Sequence, residues 1–247
     1  MNFTNKNVII TGGTLGIGYS TAAAFLAAGA KVWITGRTAE KLADAEKKLN
    51  HTHLKTIVSD TSSMEGIQQL EKYVLEQGIK VDVLFLNAGI AAFAPIEFAT
   101  EEQFDAQFNT NVKGAYFTLQ KLIPFLNEGS SVIFTSSTNA TAQALNSSVY
   151  SATKGALNKI AQIASNELAD RKIRVNLISP GPTETPGLIN AIPSEAKEYL
   201  ESATALKRLG KPSEIANTVL FLASEQASFI TGTEMIVDGG LLSNMLK

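Results

Sequence analysis

Tyr150 and Lys154 stand four residues apart in a segment whose pattern predicts a helix over Val149–Ala169, so they share one face of it. A phenol beside an ammonium in a dry site has its phenolate favoured, and it exchanges a proton with a substrate oxygen near neutral pH. On its own a Tyr-x3-Lys pair most often marks a surface contact. Here the pair closes a stretch of 25 residues, between Glu128 and Lys154, without a charge. Composition narrows the chemistry further. The 247-residue chain has no Cys, which excludes disulfides, thiolate catalysis and cysteine-ligated zinc. Its two His, His51 and His53, fall in the polar stretch Asn50-His51-Thr52-His53, which reads as a loop, so proton chemistry must use other groups.

A second constellation lies near the start. Thr11-Gly12-Gly13-Thr14-Leu15-Gly16-Ile17-Gly18 follows a short apolar run, Val8-Ile9-Ile10, and opens a helical pattern. Glycines permit φ > 0 and close approach of a phosphate to the backbone, and the helix N-terminus offers free N–H groups and a partial positive charge. The spacing is Gly-x3-Gly-x-Gly rather than the standard Gly-x-Gly-x2-Gly. The next strand pattern ends Thr35-Gly36-Arg37 with no acid to take a ribose 2′-hydroxyl. Gly36 leaves room and Arg37 supplies a fork of donors for a 2′-phosphate, so NADP(H) is expected in preference to NAD(H).

The elements that must position these groups alternate. Strands are expected at Val8–Ile10, Val32–Ile34, Leu54–Val58, Val81–Leu86, Val132–Thr135, Ile173–Ile178 and Met235–Val237. Helices are expected at Gly16–Ala28, Ala39–Leu49, Ser62–Gln77, Thr100–Leu126 with a capping box at Thr100 and Gln103, Val149–Ala169 and Glu214–Ser224. Continuously apolar strands are buried on both faces, and strand-helix alternation implies right-handed parallel crossovers. The expected fold is a Rossmann-type, doubly wound α/β domain: a seven-stranded parallel sheet with helices on both faces, formed by residues 1–247 as a single domain. Pro180 to Ala205, with prolines at 180, 182, 186 and 193, reads as irregular, and a substrate lid is expected over about 182–208. Residues 7–30 are also uncharged, but glycines, Thr and Ser within both long neutral stretches argue against membrane spans and against a signal peptide. With 21 Lys+Arg against 23 Asp+Glu, no nucleic-acid or anionic-membrane partner is expected.

These residues together resemble the short-chain dehydrogenase/reductase family of the single-domain type, from Lys6 to Gly240. The resemblance rests on Thr11-Gly12-x3-Gly16-Ile17-Gly18, Asn87-Ala88-Gly89, Asn111, Ser137, Tyr150-x3-Lys154, Pro180-Gly181-x3-Thr185, the run Arg208 to Ala216, and Thr231-Gly232 through Asp238-Gly239-Gly240. It implies that Tyr150 is the proton donor in reduction and the acceptor in oxidation. Lys154 holds the nicotinamide ribose and lowers the Tyr150 pKa, Ser137 binds the substrate carbonyl, and Asn111 anchors a relay water. It also implies a cofactor site of Gly12, Thr14, Leu15, Gly16, Ile17, Gly18, Arg37, Asp60, Thr61, Asn87, Ala88, Gly89, Tyr150, Lys154, Pro180, Gly181, Thr183 and Thr185, and no metal. Thr183 departs from the aliphatic residue common in the family, and Leu15 stands where many NADPH-using relatives carry Arg.

The implied activity is hydride transfer between NADP(H) and a small-molecule ketone/secondary alcohol pair, in a cytoplasmic homotetramer. Ile90, Ala91, Phe93, Thr138, Leu145 and the lid are expected to line the substrate pocket. Three alternatives fit less well. A 3-oxoacyl-(acyl-carrier-protein) reductase needs a basic patch, for which Lys207, Arg208 and Lys211 are candidates. A non-catalytic NADP(H)-binding sensor is disfavoured by the joint presence of Ser137, Tyr150, Lys154 and Asn111. An S-adenosylmethionine-dependent methyltransferase is disfavoured by the glycine spacing and Arg37.

Overall fold

The computed structural model describes residues 1–190 and 192–243. The apolar runs become β1 (Asn7–Ile10), β2 (Lys31–Gly36), β3 (Leu54–Val58), β4 (Val81–Leu86), β5 (Leu126–Thr135), β6 (Arg174–Pro180) and β7 (Glu234–Val237). They form one parallel seven-stranded sheet in the order β3-β2-β1-β4-β5-β6-β7. Both faces are covered, as the near-continuous apolar strands require. On one face Ile10, Ile34, Phe85 and Ile133 of the sheet meet Phe25 of α1 (Gly16–Ala27), Leu42 and Ala45 of α2 (Ala39–Leu49) and Val219 of a late helix. On the other, Leu84, Phe134 and Val175 meet Leu70 of α3 (Met64–Glu76) and residues of two further helices, Leu122 and Leu157. Each such fully buried side chain contributes about 1.5–3 kcal/mol of transfer free energy.

The helix expected over Thr100–Leu126 is not one α-helix. It is α4 (Glu101–Gln107), a π-helical stretch Phe108–Gly114, then α5 (Ala115–Leu122) and a 3-10 turn Ile123–Phe125. Its N-terminus forms as expected: the Thr100 hydroxyl accepts from Gln103 N (3.2 Å) and the Gln103 side chain accepts from Thr100 N (3.3 Å). The widened turn has two local correlates. Asn111 turns its amide into the protein to bond Ile90, and Gly114 sits against the Thr61 carbonyl so closely that a Cβ there would lie 2.4 Å from the oxygen. Periodicity does not distinguish a π turn from an α turn, and such turns occur often at functional sites. Leu126, expected in the helix, opens β5 instead, where it pairs with Val81 before a register shift.

After α6 (Ser148–Glu167) and β6, the stretch from Pro180 to Ala205 is also more regular than expected. It holds α7 (Pro186–Ile189) and α8 (Ser194–Ala203), and α9 (Pro212–Ala223) follows. Pro186 sits in the first turn of α7 and Pro193 caps α8, so prolines that read as breakers act as helix starts. Residue 191 of the expected lid and residues 244–247 of the chain end lie outside the described residues. No helix among the described residues is long and apolar enough to cross a membrane.

Candidate active site

In a parallel sheet the strand order reverses at one point, here between β1 and β4, and ligands bind in the crevice beyond the carboxyl ends there. Thr11, at the end of β1, knits the two sides of that crevice together. Its hydroxyl accepts from Asn87 N (2.9 Å) and Ala88 N (3.0 Å). Asn87 returns the contact: its Nδ2 donates to the carbonyls of Thr11 and Gly12, both at 3.1 Å, and its Oδ1 accepts from the Thr135 hydroxyl (3.3 Å). Asn87 therefore latches the glycine turn to the ends of β4 and β5.

Within the turn, Gly12 (φ +66°) and Gly16 (φ +59°) adopt the left-handed region that favours glycine. Gly18 lies under the turn, where a Cβ would come 2.2 Å from the Gly12 carbonyl oxygen. Leu15 is the N-cap of α1, with no side-chain cap and no acid in the first turn. The helix thus presents uncapped N–H groups and its positive pole toward the crevice, a setting made for an anion. Leu15 itself is exposed, and Thr14 and Ile17 are partly exposed beside it.

The ends of β2 and β3 carry the next set. Arg37 is exposed and makes no hydrogen bond or ion pair among the described residues. The space beside Gly36 is filled rather than open: a Cβ there would meet the Thr14 methyl at 2.7 Å and Leu42 at 3.2 Å. The glycine lets β2 pack against the glycine turn, which corrects the expectation that it leaves room for a ligand. Asp60 does not cap α3; Ser63 does, accepting from Gly66 N (3.1 Å). The Asp60 carboxylate instead accepts from Ser62 N (3.0 Å) and the Ser62 hydroxyl (2.8 Å), stiffening the turn, with Thr61 buried beneath.

The ends of β4 and β5 meet α6 at the other constellation. Lys154 is 3% exposed, and its Nζ donates to the Thr135 carbonyl (2.8 Å) and lies 5.6 Å from the centre of the Tyr150 ring. Burial pulls its pKa down to about 8. Ser137, two residues past Thr135, lies close enough to the Tyr150 hydroxyl to act on its proton, and its own hydroxyl accepts from Asn139 N (3.2 Å). Burial holds the Tyr150 hydroxyl above the ordinary tyrosine range, and Ser137 acts in the opposite direction. The edge of Phe93 closes on the Tyr150 ring, with centroids 5.7 Å apart. Asn111 is fully buried: its Oδ1 accepts from Ile90 N (2.8 Å), and its Nδ2 donates to Ile90 O (2.9 Å) and Thr153 Oγ1 (3.1 Å). Gly89 fits between it and Lys154, since a Cβ there would lie 3.2 Å from Asn111 Oδ1 and 3.5 Å from Lys154 Nζ.

The segment after β6 crosses above the glycine turn. Gly181 packs on Asp238, where a Cβ would come 2.7 Å from the Asp238 Cα, and buried Pro180 ends the strand. Thr183 donates to the Gly181 carbonyl (2.9 Å), and Thr185 caps α7 by accepting from Leu188 N (3.2 Å). Both hydroxyls hold their own loop. The Thr185 methyl stands over Gly16, 3.3 Å from where a Cβ would be.

Ser137, Tyr150, Lys154, Gly89 and Asn111 thus form one cluster, and Gly12, Gly16, Gly18, Asn87, Ala88 and Thr185 another beside it. Arg37 and Asp60 stand at the ends of β2 and β3, away from the phenol. Leu145, expected in the substrate pocket, is 90% exposed. Several contributors escape a sequence reading. Thr11 reads only as the first residue of the glycine turn, yet it grips Asn87 and Ala88 and so ties that turn to the end of β4. A further chain of bonds runs from Ser136 to Asn158 Oδ1 (2.5 Å), from Asn158 Nδ2 to Glu234 Oε2 (2.9 Å), and from Ser179 to Glu234 Oε1, tying α6 to the ends of β5 and β6 and to β7. The one signal for it is Glu234, an acid abutting the apolar run Met235-Ile236-Val237.

A family model described as enoyl-(acyl carrier protein) reductase matches residues 12–242. An oxidoreductase from Sarocladium schorii is 35% identical over 240 residues, 96% of each chain. A 3-oxoacyl-[acyl-carrier-protein] reductase from Thermotoga maritima is 32% identical over 98% of this chain and 100% of its own. Among solved structures, an angucycline C-6 ketoreductase with bound NADP superposes with a TM-score of 0.92 at 31% identity, over 98% of both chains.

Proposed function

The chain belongs to the short-chain dehydrogenase/reductase family of oxidoreductases acting on CH–OH/C=O pairs, and from that premise we propose that it is an NADP(H)-dependent ketone reductase with Tyr150 as its proton donor and acceptor. The observation that carries the reading is the buried amine of Lys154, 5.6 Å from the centre of the Tyr150 ring, with Ser137 beside the Tyr150 hydroxyl.

The crevice fits a dinucleotide. Two glycines in the left-handed conformation, an uncapped helix N-terminus and an exposed, unpaired Arg37 leave a cradle that side chains or acids would fill. Gly12, Gly16 and the first turn of α1 would hold the pyrophosphate, Arg37 a 2′-phosphate, Asp60 and Thr61 the adenine end, and Lys154 the nicotinamide ribose. Asn87, Ala88, Gly89, Pro180, Gly181, Thr183 and Thr185 would shape the wall. When bound, the cofactor supplies or takes up hydride.

The chain's own groups handle the oxygen. Ser137 and Tyr150 converge on the substrate carbonyl and stabilise the charge that develops there. Tyr150 then gives its proton to that oxygen in reduction, and takes it back in oxidation. Its raised pKa keeps the phenol protonated at neutral pH, the state reduction needs. Lys154, with one N–H directed to Thr135 O, keeps others for the ribose and the relay. Asn111 keeps one Oδ1 lone pair for a relay water.

A carrier-protein-bound substrate is the weaker reading. Of the three basic candidates, Arg208 is paired with Glu214 through two bonds of 2.7 and 2.8 Å, and Lys207 donates to the Ser202 carbonyl. Both are engaged within the lid root rather than presented to an acidic partner. Exposed apolar residues support a homotetramer: Ile96 and Phe98 in the 3-10 turn before α4, Phe104 on α4 and Tyr116 on α5, and Phe229 and Ile236 near and on β7. The test of the function is NADPH oxidation across a panel of alkyl, cyclic and aryl ketones, with Tyr150→Phe alongside. Turnover by wild type and its loss in the variant support the reading; no turnover of any ketone, or undiminished turnover by the variant, rejects it. Sedimentation at the 26.3 kDa monomer mass would reject the tetramer.

A further inference from the structure

Gln107 is 1% exposed, one α-helical turn before Asn111 and at the junction of α4 with the π-helical stretch. A buried amide needs partners, and this one has them. Its Nε2 donates to the Gln103 carbonyl (3.2 Å), within its own helix, but its Oε1 reaches out to accept from Ala92 N (3.1 Å). Two residues on, Ala94 N donates to the carbonyl of Asn146 (2.8 Å), a residue in the left-handed region (φ 63°) of the loop between β5 and α6. Phe93 lies between these two anchors. Its ring packs edge to face with that of Tyr150, with centroids 5.7 Å apart and planes at 68°, although Phe93 itself is half exposed. An exposed aromatic on a loop has no core to hold it. Its place beside the phenol is therefore set by the backbone on either side, and on one side by the Gln107 amide.

We propose that Gln107 is a specificity-determining positioning residue: by fixing Ala92 it holds Phe93 as a wall beside the Tyr150 hydroxyl and so limits the bulk of the carbonyl substrate that approaches it. Gln107 touches no reacting atom in this account and acts through Phe93. The inference rests on the ketone-reductase reading above. The distinction from Asn111 is one of place. Asn111 grips Ile90, next to Gly89 and Lys154, whereas Gln107 grips Ala92, next to the Phe93 that packs on Tyr150.

The experiment compares wild type, Gln107→Leu, Gln107→Glu, Phe93→Ala and the double variant Phe93→Ala/Gln107→Leu. Leucine keeps the volume and removes the acceptor; glutamate keeps an acceptor for Ala92 N–H. The readouts are kcat/KM for cyclohexanone and for the bulkier 2-tetralone, and the Kd for NADPH. The ratio of the two kcat/KM values should shift toward 2-tetralone by roughly tenfold in both Phe93→Ala and Gln107→Leu, the size expected of one altered pocket contact. It should shift no further in the double variant, because both changes act on one wall. Gln107→Glu should keep the wild-type ratio, and the NADPH Kd should stay constant throughout. An unchanged ratio in Gln107→Leu, a fully additive double variant, or a ratio shift matched by a shift in NADPH Kd overturns the proposal. Amide hydrogen exchange across residues 90–94 of the cofactor-free protein needs no turnover. Faster exchange in Gln107→Leu with wild-type exchange in Gln107→Glu supports the anchor, and unchanged exchange in Gln107→Leu overturns it. Failure of wild type to reduce any ketone with the exchange result intact rejects the reductase reading instead.

Discussion

Lys154 Nζ donates to the Thr135 carbonyl at 2.8 Å, and this bond joins the amine of α6 to the strand end from which Ser137 follows two residues later. The phenol, the serine and the amine are thus held by one short piece of backbone at the end of β5 and by one face of α6. A shift of either element moves all three together. The arrangement also explains how an amine is kept where burial disfavours its charge: one strong donor bond to a carbonyl, and no carboxylate in contact.

That burial makes Lys154 a pH-dependent cost. Its native pKa is lowered from 10.5 to about 8, so between those values the unfolded chain binds more protons here than the native one. Stability from this group therefore rises with pH across that window, by about 3 kcal/mol, and is flat below it. Urea unfolding of wild type and Lys154→Met at pH 7.5 and pH 10.5 checks this. The difference between them should move in favour of wild type at the higher pH; a constant difference contradicts the buried, depressed amine.

Ser137 and burial pull the Tyr150 pKa in opposite directions, with burial the larger. Alcohol oxidation, which needs the phenolate, should therefore speed up with rising pH. In Ser137→Ala the lowering influence is gone, so the alkaline limb of the oxidation profile should move to higher pH, besides any loss of rate. A limb that moves to lower pH would mean the serine bonds the neutral phenol instead. Tyr150→Phe should lose on the order of a hundredfold or more in kcat, the size of a general acid contribution, while NADPH titration shows unaltered binding.

Arg37 carries the cofactor choice. It is exposed and free of partners among the described residues, while the room beside Gly36 is already taken by Thr14 and Leu42. Arg37→Ala should weaken NADPH binding by about ten- to a hundredfold, the worth of hydrogen bonds to a charged group, and leave NADH binding within about twofold. Calorimetric titration of both cofactors on both proteins measures this, and equal losses for the two would remove the argument for a 2′-phosphate site.

Gly13 tests the packing of the turn separately from its chemistry. A Cβ at this position would lie 2.5 Å from the Ile34 Cβ, in the core of β2. Gly13→Ala should destabilise the fold by about 1–3 kcal/mol, as overpacking does. Denaturant midpoints at saturating and zero NADPH measure the effect, and an unchanged midpoint would show that β2 yields at no cost.

Asn158 joins Ser136, just past the end of β5, to Glu234 on β7. Asn158→Leu leaves the buried Ser136 hydroxyl and one Glu234 oxygen without their partner, at about 1–3 kcal/mol for each uncompensated group. Because Ser136 precedes Ser137, kcat should fall more than the NADPH Kd rises. The reverse pattern would place the network on the cofactor side of the site.

Much of this was legible in the chain itself. Uninterrupted apolar runs such as Val8-Ile9-Ile10 and Val83 to Leu86 specify strands buried on both faces. Glycines after the first run specify a turn that side chains would block, and Tyr150 and Lys154 at helical spacing specify a shared face. These are local consequences of residue type and period, and they carry the parallel fold, the location of the two constellations and the family. The absence of cysteine and of a suitably placed histidine directed attention to a phenol and an amine for the same reason. What only the folded molecule decided are relations between residues far apart in sequence. The π-helical stretch at Phe108–Gly114 exists where Asn111 bonds Ile90 and Gly114 meets Thr61, and no helical period announces either. The stretch holding the prolines at 186 and 193 is built into two helices, and its ends are tied by Glu184 N to Gly210 O and Leu206 N to Gly239 O. On the Tyr150 proton, burial raises the pKa and Ser137 lowers it, and the larger influence, desolvation, is set by everything that surrounds the hydroxyl.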